Sequence, residues 1–185
     1  MSRESKNSRL ILILHDIILG KSIESKQIGG IKMPLDYLLN SEPWIQCLVH
    51  HNLLHKSDEE LKELHQEVLS DNRIIGYLND ITDFHSILVT NHKNPDLPIH
   101  KLHFLLDMGF NIENPQISSA IEQIKAHRDE YGIYQSLTNI PKHYGGTGTN
   151  MFSWCLCDAP LLLSALVRTG CDYNLDVKPR VDYLA

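Results

Sequence analysis

Residues 151–170, MFSWCLCDAPLLLSALVRTG, decide the fold prediction, because they form a long apolar segment that ends in glycine. The segment predicts one apolar helix that stops at Gly170. Pro160 leaves two interpretations open: either it bends a continuous helix, or Asp158 caps a shorter helix that carries Pro160 in its first turn. In the continuous helix, Trp154 and Asp158 share one face because they are four residues apart.

The plan of this segment occurs twice in the chain. One unit ends its apolar helix with MGFNIENP and continues with ISSAIEQI, and the other ends with TGCDYNLD and continues with VKPRVDYL. Each unit therefore consists of an apolar helix, a glycine stop, a short turn and an amphipathic helix. The apolar positions of the two amphipathic helices correspond: Ile117, Ile121 and Ile124 match Val177, Val181 and Leu184. Since strand signals are few, the sequence predicts an all-α array of helical hairpins.

Further helices are predicted towards the N-terminus. The segment 35–53 has helical periodicity with a break at Ser41, Glu42 and Pro43. The next segment begins with Ser57 as N-cap, and Glu60, three residues on, makes a capping box. Residues 74–82, IIGYLNDIT, fit either a helix or a short strand.

Composition limits the classes of function. The chain has 185 residues, a net charge of -6, eleven histidines and four cysteines. No basic stripe is present, so the sequence predicts no nucleic-acid partner. The cysteine spacing is not that of a disulfide framework, which favours a reducing compartment and a cytoplasmic location. We expect residues 1–32 to form an N-terminal helix and linker, because their apolar run is interrupted at His15 and Asp16 and is too short to span a membrane.

Three stretches resemble the α/α-toroid superfamily, which includes protein prenyltransferase β subunits and terpenoid cyclases. NMFSWCLCDAPLLLSALVRTG is similar to the inner helices of the toroid, and AHRDEYGIYQS is similar to the turn between hairpins. YLLNSEPWIQCLVHHNLL resembles the N-terminal helix of uncharacterised bacterial members with prenyltransferase- and squalene-oxidase-like repeats. The resemblance implies that residues 33–185 form about three helical hairpins of a partial toroid. A missing C-terminal half or self-association would then complete the ring.

The resemblance also implies a function. Inner helices of a toroid line a central cavity, so we expect an uncharacterised helical-repeat domain that binds an apolar or mixed small molecule. A terpenoid cyclase- or prenyltransferase-like enzyme and a protein-interaction scaffold are the alternatives. The acidic motifs of the cyclases are absent, and the order Cys155-Leu156-Cys157-Asp158 differs from the zinc motif of the prenyltransferases. The sequence therefore assigns no cofactor and no metal ligand, and whether the chain is an enzyme stays open.

The loop before residue 151 would lie at the mouth of such a cavity. KHYGGTGTN, residues 142–150, lacks the lysine of a phosphate-binding P-loop, which leaves a structural turn or a site for an anion or polar ligand. Asp158 is the candidate catalytic residue, because an acid in an apolar cavity has a raised pKa and can donate a proton. The candidate ligand-binding residues are His143, Tyr144, Gly145, Gly146, Thr147, Trp154 and Cys157.

Histidines and cysteines are also candidate metal ligands. His51 and His55 are four residues apart and His100 and His103 three apart, so each pair can share a helix face, but neither has an evident third ligand. We expect these histidines to lie on the surface or to pack between helices. A site built from His143, Cys157 and Asp158 is the alternative to ordinary packing of residues 157 and 158.

Overall fold

The computed structural model of the protein describes residues 35–184, so the predicted N-terminal helix within residues 1–32 lies outside the described residues. The chain divides into two compact units, one that ends at Val68 and one that begins at Leu69. None of the helices in the described range is long and apolar enough to cross a bilayer. All the site residues discussed below belong to the second unit.

The described part of the first unit, residues 35–68, contains three helices: α1 (Leu35–Leu39), α2 (Pro43–Asn52) and α3 (Asp58–Val68). The predicted break before Pro43 is confirmed, since Pro43 occupies the first turn of α2, where its missing N–H costs no hydrogen bond. At the start of α3, the Glu60 carboxylate accepts from the Ser57 N–H and from the Ser57 hydroxyl, each at 2.9 Å. This is the Glu60 half of the predicted capping box.

The second unit is mostly helical. Its helices are α4 (Asn72–Thr82), α5 (Pro98–Asp107), α6 (Pro115–Ala126), α7 (Ala159–Arg168) and α8 (Lys178–Leu184). The segment 74–82 is therefore helical and not a strand. A small antiparallel sheet joins β1 (Ser136–Thr138) to β2 (Met151–Ser153).

The core of the second unit lies where α5 and α6 pack against α4 and α7. The apolar stripe predicted for α6 is confirmed, because each of its members is fully buried: Ile117, Ala120, Ile121 and Ile124. Leu102 and Leu105 of α5 and Leu162 and Leu166 of α7 are fully buried as well. Gly109 and Gly170, the predicted stops after α5 and α7, have φ of 85° and 73°, a left-handed backbone that glycine adopts without strain.

The prediction of one helix over residues 151–170 is wrong in its first half. Residues 151–153 form β2, residues 154–158 form a turn, and α7 begins at Ala159. The shorter-helix interpretation is correct, with Asp158 at the N-cap position and Pro160 in the first turn, although the Asp158 side chain makes no capping hydrogen bond. Trp154 lies outside the helix and so shares no helix face with Asp158.

The loop KHYGGTGTN joins the two strands and does not lead directly into a helix. Gly145 has φ of 83° and ends a short 3-10 turn, Lys142–Tyr144. A Cβ atom on Gly146 would lie 2.0 Å from the carbonyl oxygen of Ile140, so only glycine fits there. These glycines are explained by the hairpin itself, which agrees with the structural-turn interpretation.

Candidate metal centre

His92 lies in the connection between α4 and α5. Hydrogen bonds hold this connection at Val89 and at His92 itself. The Val89 N–H donates to the Leu137 carbonyl at 2.8 Å, which attaches the connection to β1. The His92 carbonyl oxygen accepts from His100 Nε2 at 2.8 Å. Because its neighbours and its own carbonyl are held, the backbone of His92 has a defined position in the fold.

Cys155, Cys157 and Asp158 come from the turn between β2 and α7. The Cys155 carbonyl accepts from the N–H groups of Asp158, at 3.2 Å, and Ala159, at 3.0 Å. The Cys157 N–H points at the Cys155 sulfur, with 3.3 Å between Cys157 N and Cys155 Sγ. The turn is therefore compact, and it sets the two thiols beside the first residues of α7.

The fold brings these two segments together around the His92 imidazole. His92 Nδ1 lies 2.7 Å from Asp158 Oδ1, and His92 Nε2 lies 3.7 Å from Cys155 Sγ. The ligand atoms of His92, Cys155 and Cys157 all lie within 4.8 Å of one another. Among residues 35–184, this is the group of histidine, cysteine and acidic side chains with the spacing of a metal site.

Burial separates the roles of these side chains. Asp158 is 4% exposed, and its Oδ2 atom has no hydrogen-bond partner among the described residues. His92 and Cys157 are exposed, and Cys155 is half-buried. Burial raises the pKa of the Cys155 thiol, while the amide groups of Cys157 and Asp158 act in the opposite direction. A metal ion beside the sulfur would favour the thiolate far more strongly than these amides do.

Two of the residues that the sequence singled out, Cys157 and Asp158, belong to this cluster. The third member of the hypothetical site, His143, is not part of the metal-ligand group in residues 35–184, and His92 is there instead. His92 was not predicted as a site residue, and Cys155 had no predicted role. No local motif marks His92, because 63 residues separate it from Cys155.

Trp154 has a partner of its own in the second unit. Its Nε1–H donates to Asp129 Oδ2 at 2.8 Å. The other oxygen of Asp129 accepts from the N–H groups of Tyr131, at 3.0 Å, and Ile133, at 2.7 Å. Trp154 thus fastens the turn 129–133 to the end of β2.

The remaining ligand-binding candidates lie in the hairpin loop. The rings of His143 and Tyr144 contact each other, with centroids 4.2 Å apart, and Thr147 Oγ1 lies 2.9 Å from Thr149 Oγ1. The metal-ligand group in the described part of the chain contains none of the five candidates from this loop: His143, Tyr144, Gly145, Gly146 and Thr147.

The two histidine pairs differ: His51 and His55 do not share a helix face, whereas His100 and His103 make contacts within the second unit. His51 lies on α2, but α2 ends at Asn52, so His55 does not share a helix face with it. His103 on α5 packs against α7: its Nε2 lies 3.0 Å from the Leu161 carbonyl oxygen and its Nδ1 3.3 Å from Arg168 Nη1. Burial lowers the pKa of His103, and the neutral ring suits this arrangement, donating from Nε2 and accepting at Nδ1.

Comparisons with known proteins give this site no precedent. No family model matches the chain, no curated protein is similar to it at a significant level, and no solved structure matches its fold.

Proposed function

We propose that the protein binds a transition-metal ion, preferentially Zn²⁺, through His92, Cys155 and Cys157. The observation that carries the proposal is that their three ligand atoms lie within 4.8 Å of one another. Tetrahedral zinc with bonds of about 2.3 Å to sulfur and 2.05 Å to nitrogen places a sulfur and a nitrogen ligand about 3.6 Å apart and two sulfur ligands about 3.8 Å apart. Cys155 Sγ and His92 Nε2 are already 3.7 Å apart.

The ligand types support zinc. Two thiolates and one imidazole are soft and borderline donors, which suit zinc and copper and do not suit magnesium or calcium. Both thiols must lose a proton when the metal binds, so we expect the affinity to increase with pH. The two thiolate charges then balance the charge of the ion.

Asp158 supports the proposal from behind the histidine. Nδ1–H of His92 donates to Asp158 Oδ1 at 2.7 Å, which leaves the lone pair on Nε2, the nitrogen that faces Cys155. Histidine ligands in metal sites commonly donate their second ring N–H to a carboxylate, which fixes the tautomer and increases the basicity of the ligand. The sequence predicts that Asp158 acts as a general acid. In this proposal Asp158 instead positions His92.

The experiment is a metal titration of the reduced full-length protein against a chromophoric zinc chelator. We expect one tight zinc site per chain, lost or strongly weakened in His92→Ala and Cys157→Ser. Cys171→Ser is the matched control, because Cys171 is a free, half-buried cysteine outside the group. Absence of tight zinc binding, or equal effects of Cys157→Ser and Cys171→Ser, would overturn the proposal.

A second candidate function, thiol nucleophilic catalysis, is favoured by the hydrogen-bonded order Cys155, His92, Asp158. In such an arrangement the Cys155 proton moves to His92 Nε2 as the sulfur attacks an electrophile, and the carboxylate orients the imidazole. Alkylation of Cys155 by iodoacetamide in metal-free protein tests it: His92→Ala should slow the reaction while Cys157→Ser leaves it unchanged. The surface character of the site favours metal binding, since an ion needs no substrate cleft.

Closure into an α/α toroid, a cytoplasmic location, self-association and binding of an apolar small molecule stay predictions. An apolar pocket of the second unit, between Phe84, Val89, Leu97 and Leu137, has a cavity volume of about 10 Å³, which is room for about one water molecule. Small-molecule sites typically occupy about 300–1,000 Å³. This pocket is therefore too small to support the prediction of a small-molecule ligand, and the prenyltransferase- or cyclase-like and scaffold alternatives gain no specific support from it.

A further inference from the structure

Among residues 35–184, the proposed metal centre has three protein ligands, and the geometry argues against a fourth from Asp158. Its Oδ1 atom pairs with Nδ1 of His92, whereas Cys155 lies beside Nε2 of the same ring. A metal ion bound to Nε2 lies on the side of the imidazole away from Nδ1. Asp158 therefore orients His92 and does not reach the ion.

Solvent reaches the ligand atoms. His92 has a side-chain exposure of 42%, Cys157 is exposed, and the intervening Leu156 is 75% exposed. Structural zinc sites are closed by four protein ligands, whereas sites with three protein ligands keep a position for water or another molecule. The exposure and the ligand count together describe an open metal centre.

The first three ligands also restrict the fourth. Two thiolates neutralise the charge of a divalent ion, so no strong net attraction remains for a highly charged anion such as phosphate. A centre that already holds two sulfur atoms is soft and prefers another soft, singly charged donor. A small thiolate meets both conditions.

Resting on the proposed metal site, we infer that the fourth coordination position takes a small thiol from solution as its thiolate. Water leaves the ion, a metal–sulfur bond forms, and the thiol proton passes to the solvent. No oxidant or reductant is required, because neither the metal nor the sulfur changes oxidation state. Binding releases one proton per thiol, so it should strengthen as pH rises.

The test uses reduced full-length protein loaded with Co²⁺, whose visible spectrum reports coordination geometry and whose ultraviolet charge-transfer band reports bound thiolates. Titration with 2-mercaptoethanol should increase the charge-transfer absorbance until it saturates. The final absorbance should be about one and a half times the initial value, as expected when the number of bound thiolates rises from two to three. Native mass spectrometry should show protein, cobalt and one thiol together. Cys171→Ser should behave as the wild type does, since Cys171 is outside the group.

Each other outcome has a distinct meaning. If Co²⁺ binds but the thiol leaves the spectrum unchanged, or if the thiol removes the metal, the inference is wrong and the three-ligand metal site stands. If Co²⁺ does not bind at all, the proposed function itself fails, and the inference fails with it. A charge-transfer band of three thiolates before any thiol is added would also overturn the inference.

Discussion

Replacing Asp158 by asparagine separates a metal-positioning role from a structural one. Asparagine keeps the size of the side chain and an oxygen that accepts from His92 Nδ1, but it removes the negative charge behind the imidazole. Loss of such a partner typically weakens metal binding about 10- to 100-fold, or about 1.4–2.7 kcal/mol. We expect a loss in this range for zinc.

The same change should have little effect on the metal-free protein. The carboxylate is 4% exposed and its Oδ2 atom has no partner in the described range, so its burial carries a cost that the neutral amide avoids. In Asp158→Asn, the smaller cost of burying a neutral side chain opposes the loss of strength in the 2.7 Å hydrogen bond to His92. We therefore expect the free energy of unfolding without metal to change by no more than about 1 kcal/mol.

Urea denaturation with and without zinc measures both effects. At a free zinc concentration 100 times the wild-type dissociation constant, zinc should stabilise the wild type by about 2.7 kcal/mol. If Asp158→Asn weakens binding 100-fold, the same zinc concentration stabilises the variant by only about 0.4 kcal/mol. Asp107→Asn is the control, because that carboxylate pairs with Arg168 at 2.7 Å outside the metal group. Equal stabilisation of wild type and Asp158→Asn by zinc would refute the reasoning.

Three further predictions concern the fold of the second unit. Gly146→Ala should destabilise it by about 1–3 kcal/mol in urea denaturation, because the added Cβ would lie 2.0 Å from the Ile140 carbonyl oxygen. Gly76→Ala is the control: no atom lies within 4 Å of its Cβ, so alanine should stabilise α4 by about 0.5–1 kcal/mol. Leu102→Ala should lower the free energy of unfolding by about 2–5 kcal/mol, since Leu102 is fully buried; a loss below 1 kcal/mol would contradict the packing described for α5. Burial lowers the pKa of His103 in the folded state. The contribution of the neutral ring to stability is therefore present above about pH 6.5 and is lost as the pH falls through the lowered pKa. The urea denaturation midpoint of His103→Gln should then depend less on pH between 7 and 5 than that of the wild type.

Helices whose apolar side chains follow a helical period could be predicted from the sequence. The four buried positions of α6 have that spacing, and Pro115 and Asn114 mark its start through local chemistry. The Asn114 side chain accepts from the N–H groups of Gln116 and Ile117, a cap that depends on neighbouring residues alone. Such local signals survive without knowledge of the rest of the fold.

Strand β2 could not be predicted in this way. Residues 151–153 carry apolar side chains that fit a helix equally well, and they form a strand because Ser136–Thr138 pair with them. The partner strand lies across a long loop, so the pairing is a tertiary effect that overrides local preference. Pro160 gave the one local hint, because it left a shorter helix as one of two interpretations, and the structure contains that shorter helix.

Part of the candidate site could likewise be predicted from local sequence, and part could not. Cys157 and Asp158 could be selected from the sequence because they are adjacent polar and reactive residues within an apolar segment that was expected to line a cavity. His92 lies in a loop with several polar residues, and contacts with other elements of the fold place it beside the cysteines: the bond of Val89 to β1 and the bond of the His92 carbonyl to His100. When a sheet brings ligands together from distant segments, the sequence contains no motif with a fixed ligand spacing. Ligands on a single loop do give such a motif.

The small sheet has a consequence for how sequence change would affect the site. Val89 forms a parallel bridge to Thr138, and Ser153 pairs with Ser136, so three chain segments are registered against one another three or fewer residues away from His92 and Cys155. A slip of one residue in that pairing would turn alternate side chains to the opposite face and separate the thiols from the imidazole. Insertions at the tip of the hairpin, around residues 142–149, leave this pairing intact. Over evolutionary time the tip can therefore vary at positions other than Gly146, while the few residues between the bridges and the ligands must keep their number.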